Sequence, residues 1–342
     1  MKLIFVFLSL VVSIISTSHE NVWKKFKIDF NKKYETPEEE YYHFQIFQKN
    51  LLKIKENEKK FLKGEVSFKL GITKFADINQ EEFPRQNIER DIISLSRIEF
   101  SDEESNVPER IDWRNNSAVP AVSDQGTECN ASFYFAAVGA IQAQRYITEK
   151  NSDPLSVQYL IDCSFGNNNG CNGGGVVNTL DWIASNGVPP AYSYPYKGKE
   201  GQCRGATGEM IGKGQLGYGM ISESEEEMTK AVAYVGPIAV SIDGRDLPLY
   251  TGGVLNNPDC SRTVTSNISQ SGLIVGYDET EDGQEYWIVQ FSSGCDIATE
   301  AFSCDISIRL FSTNFNEQKL LCTFISFLQL FVVLCIDRYL QK

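Results

Sequence analysis

Histidine is almost missing from this chain: among 342 residues only His19 and His43 carry an imidazole, and none follows residue 43. Imidazole is the usual general base for activating a Cys or Ser nucleophile, because its unperturbed pKa lies near neutrality. Everything downstream of His43 lacks that chemistry. Cysteine is missing before Cys129, whereas nine cysteines (Cys129, Cys163, Cys171, Cys203, Cys260, Cys295, Cys304, Cys322 and Cys335) fall from there on. An oxidising compartment would staple only the later part, so two differently built regions are expected. A basic excess is missing too, with 32 Lys and Arg against 45 Asp and Glu and a formal charge of −13. That sign opposes the counterion-releasing contacts that drive nucleic-acid binding, and no nucleic acid is expected as partner. No metal site and no cofactor is expected either.

Long apolar runs occur only at the two ends. Met1 to Ser18 reads MKLIFVFLSLVVSIISTS. One Lys, an apolar stretch too short for a bilayer and then small polar residues fit a signal peptide over 1–18, and a secreted or endo-lysosomal destination. Leu320 to Ile336 is mostly apolar and at the short limit for a membrane span. Residues 313–342 are therefore a hydrophobic tail of open status, a membrane anchor or a gene model running into non-coding sequence. Between the ends, an apolar fraction of 42% is that of a globular chain, long enough for two domains.

From Asn21 to about Leu62 the text is charged and helical, and Thr36-Pro37-Glu38-Glu39 reads as a capping box with Pro at the first helical position. Glu39, His43, Phe47, Asn50 and Ile54 recur on one helical face, and Gly64 is a stop signal. These residues resemble the E-x3-R-x3-F-x2-N-x3-I-x3-N helix of papain-family prosegments, with His43 for Arg and Glu58 for the last Asn. Gly71-Ile-Thr73-Lys-Phe75-Ala-Asp77 resembles the prosegment motif G-x-N-x-F-x-D, with Thr73 for Asn. The resemblance implies an inhibitory segment, lying along a peptidase cleft until removed, over 19–106. Its last part, 84–106, is polar, has no clear period and reads as a linker.

Val107 to Arg114 looks like the opening of a mature papain-like domain, expected over 107–312. The implied fold is α+β with two lobes, a helical left lobe and a β-barrel-like right lobe, preceded by the helical prosegment. In the family, Q-G-x-C-G-S-C-W-A-F carries an oxyanion-hole Gln and the nucleophilic Cys. Here Gln125-Gly-Thr-Glu-Cys129-Asn-Ala-Ser132 has one residue more, and Ser132 stands at the nucleophile's position. A Ser hydroxyl stays protonated unless a base removes its proton; as plain structure, Ser132 reads as the N-cap of a buried helix over Phe133 to Ile147. The family's His aligns with Gln270, ahead of Ser-Gly-Leu-Ile-Val275-Gly276-Tyr277, and its Asn and Trp align with Phe291 and Ser293. A carboxamide cannot take and return a proton near pH 7. The resemblance thus implies an inactive relative of cathepsin L-like peptidases, with none of the degenerate positions Gln125, Ser132, Gln270 and Phe291 expected to catalyse.

Leu155-Ser156-Val-Gln158 to Asp162-Cys163, Gly170-Cys171-Asn-Gly173-Gly174 and Tyr194-Pro-Tyr196 resemble further family text, and imply bridges Cys129–Cys171 and Cys163–Cys203. Cys260 has no assigned partner. The glycine-rich loop, with Gly173, Gly174 and Val176, is a candidate peptide-binding surface, or is glycine-rich only because its turns require it. Asn115, Asn130 and Asn267 each open an N-x-S sequon, and glycans at Asn130 or Asn267 would stand at the rim of the former cleft. Expected partners are peptides, peptidase inhibitors or related peptidases. Two alternatives stay open: a residual peptidase using Ser132 or Cys129, and a prosegment that inhibits active relatives.

Overall fold

The computed structural model describes residues 19–79, 97–98, 100, 106–166, 168–221, 224–242, 244, 247–255, 270–292, 300–302 and 310–314. The expected signal peptide, most of the linker, Cys260, Asn267, Ser293 and the tail from 315 lie outside them. Two compact units emerge, one of residues 1–83 with 245–253, the other of 84–244 with 254–342.

The first unit contains α1 (residues 19–29) and α2 (Pro37–Leu62), separated by a turn in which Asn31 takes a positive φ of 48°. One charged helical stretch is thus two helices. Thr36 caps α2, its hydroxyl accepting from the Glu39 amide at 3.1 Å. The Glu39 carboxylate reaches the amide of Glu35 at 2.6 Å, one residue short of the reciprocal bond of a capping box. Glu38 to Glu40 in the first turn and Lys59 and Lys60 in the last complement the helix dipole. Trp23 and Phe26 of α1, Phe47 and Leu51 of α2, Ala76 and Leu249 form one apolar core.

The prosegment-like motifs join α2 to the chain that follows. Asn50 donates its Nδ2 to the carbonyls of Ala76 and Ile78, at 2.9 and 3.2 Å. The His43 Nδ1 lies 2.8 Å from the Asp77 carbonyl, and the buried Asp77 carboxylate takes Lys32 at 2.7 Å and Tyr34 at 2.8 Å. Where spacing points to Glu58, the structure uses Asn57: buried, it donates to the Phe68 carbonyl at 3.3 Å and accepts from the Leu70 amide at 2.8 Å. That bond fixes β1 (Phe68–Leu70), which pairs antiparallel with Tyr250, Gly252 and Gly253. The Thr73 hydroxyl donates to the Pro248 carbonyl, and the Gly71 amide to Leu249 at 2.7 Å.

The second unit is built on α3 (Ser132–Glu149), α4 (Val157–Cys163), α5 (Val176–Asn186) and α6 (Glu225–Tyr234), with an extended sheet. Its strands are β2 (Arg97–Ile98), β3 (Ile111–Asp112), β4 (Gly217–Ile221), β5 (Ile238–Ile242), the end of β6 (Tyr250–Leu255), β7 (Gln270–Glu279), β8 (Glu285–Gln290), β9 (Glu300–Phe302) and β10 (Leu310–Asn314). From β9 the order is β9-β8-β7-β5-β10-β4-β2, with Val254 and Leu255 of β6 beside β9 and β3 beside β7. The described strands form an open sheet, not the barrel-like lobe expected: two-residue β2 ends the series, pairs with β4 alone, and joins neither β9 nor β6. Residues 97 and 98 of the expected linker pair in parallel with β4. α3 contributes Ala136, Ala137 and Ala140 to the core cluster that also holds Ala239 and Leu273 of the sheet, and a Cβ on Gly139 would stand 3.2 Å from Leu273 of β7. Small residues there let helix and strand approach closely.

Candidate functional site

The Sγ atoms of Cys129 and Cys171 are bonded, and the Asn130 amide donates to the Cys171 carbonyl at 3.1 Å. That clamp decides where α3 can begin. Ala131 takes the N-cap position without a side-chain bond, its carbonyl accepting from the Tyr134 and Phe135 amides, and Ser132 becomes the first helical residue. The expected N-cap role of Ser132 is thereby corrected. Ser132 is 1% exposed, and its Oγ accepts from the Ser271 amide at 3.2 Å. A donor aimed at that oxygen supports it as an acceptor; it does not remove its proton.

Ser271 is the second residue of β7 and Gln270 the first, so α3 and β7 bring Ser132 beside the Gln270 backbone. Gln270 is 7% exposed, and its Oε1 is buried with no hydrogen bond from any described residue. Beneath it the hydroxyls of Ser271 and Ser241 share a bond at 3.0 Å. Phe291 follows β8, whose Gln290 pairs with Leu273, and its ring lies over Gly272: a Cβ there would meet Phe291 Cε1 at 2.7 Å and Val289 Cγ1 at 2.8 Å. Phe291 therefore packs on a bare patch of β7. The Gln125 backbone amide donates to the Ser292 carbonyl at 2.7 Å, and its Oε1 accepts from the Ser292 hydroxyl at 3.2 Å. The Tyr196 phenol donates to the Gln125 carbonyl at 2.8 Å, and burial holds that phenol above its usual range. Hydroxyls, carboxamides and a phenyl ring thus make up the site, and none of them titrates near neutrality.

The glycine-rich loop is held from inside. Gly173, at φ 110°, and Gly174 are buried, and Val176 belongs to the core cluster. A Cβ on Gly174 would stand 2.3 Å from Asn168 Oδ1 and 2.6 Å from Phe133 Cε2. Asn168 in turn accepts from the Gly175 amide at 2.9 Å and donates to Thr179 at 3.1 Å. The Cys171 amide donates to Glu200 at 2.8 Å.

Residues that sequence reading treated only as family text have a structural task. Asp162, 1% exposed, accepts from Gln158 Nε2, the Tyr194 hydroxyl and the Gly201 amide, each at 2.8 Å, next to the bonded pair Cys163 and Cys203. Burial first, and then Asp162, raise the Tyr194 phenol above its usual range. Among the sequons, Asn115 is exposed and Asn130 is 8% exposed. Among the described residues no cluster of His, Cys, Asp and Glu is placed to hold a metal, and no helix is long and apolar enough to cross a membrane.

Residues 107–303 match the papain family of cysteine proteases and residues 23–83 the cathepsin propeptide inhibitor domain. A cathepsin L-like proteinase of Phaedon cochleariae is 34% identical over 300 residues, 86% of this chain and 91% of its own length. Cathepsin L of Sarcophaga peregrina is 35% identical over 288 residues, 80% of this chain and 83% of its own. Among solved structures, digestive procathepsin L 3 of Tenebrio molitor larval midgut superposes with a TM-score of 0.75 at 30% identity, covering 86% of this chain and 98% of its own.

Proposed function

The chain belongs to the papain family of cysteine proteases, in a cathepsin L-like form with a cathepsin propeptide inhibitor domain, and on that premise we propose that it does not cut peptides but binds them, or binds peptidase inhibitors or related peptidases. The observation that carries this is Gln270 with no histidine after residue 43: the position that takes and returns the proton in the family holds a carboxamide. Ser132, bonded as an acceptor at the start of α3, lacks the base that a hydroxyl nucleophile needs. Phe291 in place of the orienting Asn adds packing and no hydrogen bond to an imidazole. The glycine-rich loop Gly170 to Gly175 is of the kind whose backbone groups align an extended peptide.

The test is turnover. The full chain is expressed through a secretory host, its prosegment removed by an added peptidase, and fluorogenic peptides assayed with and without a thiol-reactive epoxide beside a Ser132→Ala control. Turnover no higher than the control supports the proposal. Turnover that disappears in Ser132→Ala, or under the epoxide, refutes it. A second reading, inhibition of active relatives by the prosegment, is supported by the first unit's own aromatic core and by its Asn50 and Asn57 ties. Failure of the intact chain to inhibit a cathepsin L-like peptidase at micromolar concentration would remove it.

A further inference from the structure

Two of the three sequons have a place among the described residues, and they differ there. Asn115 lies in the 3-10 turn Trp113–Asn116, exposed, and Ser117 follows it, also exposed, at a φ of 64°. The turn is pinned on both sides of the sequon's side chains without covering them: the Trp113 indole donates to the Val232 carbonyl at 2.7 Å, and Asp112 caps the turn by accepting from the Arg114 amide at 3.0 Å. Asn130 is the opposite case. It follows the half-cystine Cys129, its amide is bonded to Cys171, and it is 8% exposed at the start of a buried helix. Asn267 lies outside the described residues.

We infer that Asn115 is an N-linked glycosylation site and that Asn130 is not. The reaction joins Asn115 Nδ2 to the anomeric carbon of a lipid-linked oligosaccharide. The bond from that carbon to the lipid pyrophosphate breaks, the pyrophosphate leaves with the electron pair, and the amide nitrogen gives up one proton to the transferase's base. Nothing is oxidised or reduced. The acceptor needs an asparagine and a hydroxyl two residues on, both reachable on one turn, which Asn115 and Ser117 supply and the clamped Asn130 does not.

The position carries a consequence for the site. Asp112 pairs with Gly276 on β7, six residues along the strand from Gln270, which at about 3.4 Å per residue is about 20 Å. A glycan at Asn115 is therefore anchored three residues beyond the strand that meets the Gly276 end of β7, whereas one on Asn130 would be anchored two residues from Ser132.

The experiment is peptide mapping of the full chain from a eukaryotic secretory host, taken from both cells and medium, with and without peptide N-glycosidase. The expected result is glycan on the Asn115 peptide, none on the Asn130 peptide, and loss of one glycan's mobility shift in Asn115→Gln. Ser117→Gly provides a second variant: it removes the hydroxyl at a φ that glycine adopts without strain, leaves Asn115 in place, and is expected to lose the same shift. An unmodified Asn115 peptide in both fractions, or a glycan on Asn130 in folded secreted protein, overturns the inference.

Discussion

Replacing Asp162 by Ala should loosen α4 and the Cys163–Cys203 region by about 1–3 kcal/mol. The figure comes from counting what the carboxylate leaves behind. The Tyr194 hydroxyl keeps a second acceptor, the Gln202 carbonyl at 3.3 Å, and Gln158 Nε2 keeps Lys199 at 2.8 Å. One buried donor is orphaned, the other Gln158 N–H, at about 1–3 kcal/mol; the Gly201 amide belongs to an exposed residue and turns to water, and removal of a buried charge offsets part of the sum. Because the chain has two units, a single unfolding curve would mix their transitions, and hydrogen exchange read segment by segment is the better assay. Amides of Val157–Cys163 should exchange about 5- to 150-fold faster, while those of α2 in the first unit stay unchanged. Asp162→Asn, which keeps one acceptor and turns an NH2 towards a donor, should fall in between. A change under about threefold in α4 for Asp162→Ala would refute the reasoning.

Gly174→Ala should cost about 1–3 kcal/mol, seen as a lower melting temperature, since its Cβ would fall within 2.6 Å of both Asn168 and Phe133. A thiol count on the folded, unreduced chain should find Cys129, Cys163, Cys171 and Cys203 unreactive; a reactive Cys171 would revive Cys129 as a nucleophile. Burial and then Lys55 hold the His19 imidazole below its usual pKa. The unfolded chain therefore takes up the proton first, so the first unit keeps this contribution above about pH 6.5 and loses it as pH falls. Protection factors of α2 amides, corrected for the intrinsic slowing of exchange with acid, should fall as pH drops below about 6.5, and less so in His19→Leu.

Local chemistry was legible in the sequence wherever neighbours along the chain determine it. Thr36 and Pro37 mark the start of α2, Gly64, at φ 71°, follows its end, and the apolar run after Ser132 is a buried helix. The cysteine pairing followed from resemblance and not from spacing. What depended on distant partners was not legible. Asn57 takes the place spacing assigns to residue 58 because α2 meets β1 one residue earlier, and only the Phe68 and Leu70 backbone reveals that. Gly173, Gly174 and Val176 read as a surface, yet Asn168 and Phe133 close over the loop from within. Asn130 and Asn115 are the same motif in text, and a disulfide clamp separates them in space. For Ser132, the shift from cap to first helical residue is set by the Asn130 bond to Cys171, across the same clamp.

The positions where catalysis would reside do not behave alike, and the difference yields a further prediction. Phe291 buries a ring against Gly272 and so contributes packing, and Ser132 has a backbone donor. Gln270 is the exception, because its Oε1 is buried without a hydrogen bond from any described residue. An orphaned buried acceptor costs about 1–3 kcal/mol, whereas an apolar side chain of the same shape carries no such cost. Gln270→Met should therefore raise the stability of the folded protein by about 1 kcal/mol, measured as a higher melting temperature. If bound peptide supplies the missing donor, the same variant should bind peptide about fivefold more weakly while being more stable. Stability and binding moving in opposite directions is a result that simple damage to the fold does not produce. A Gln270→Met protein that melts lower and binds unchanged would show that the carboxamide already has its partner in the folded chain, and would remove Gln270 from the binding site.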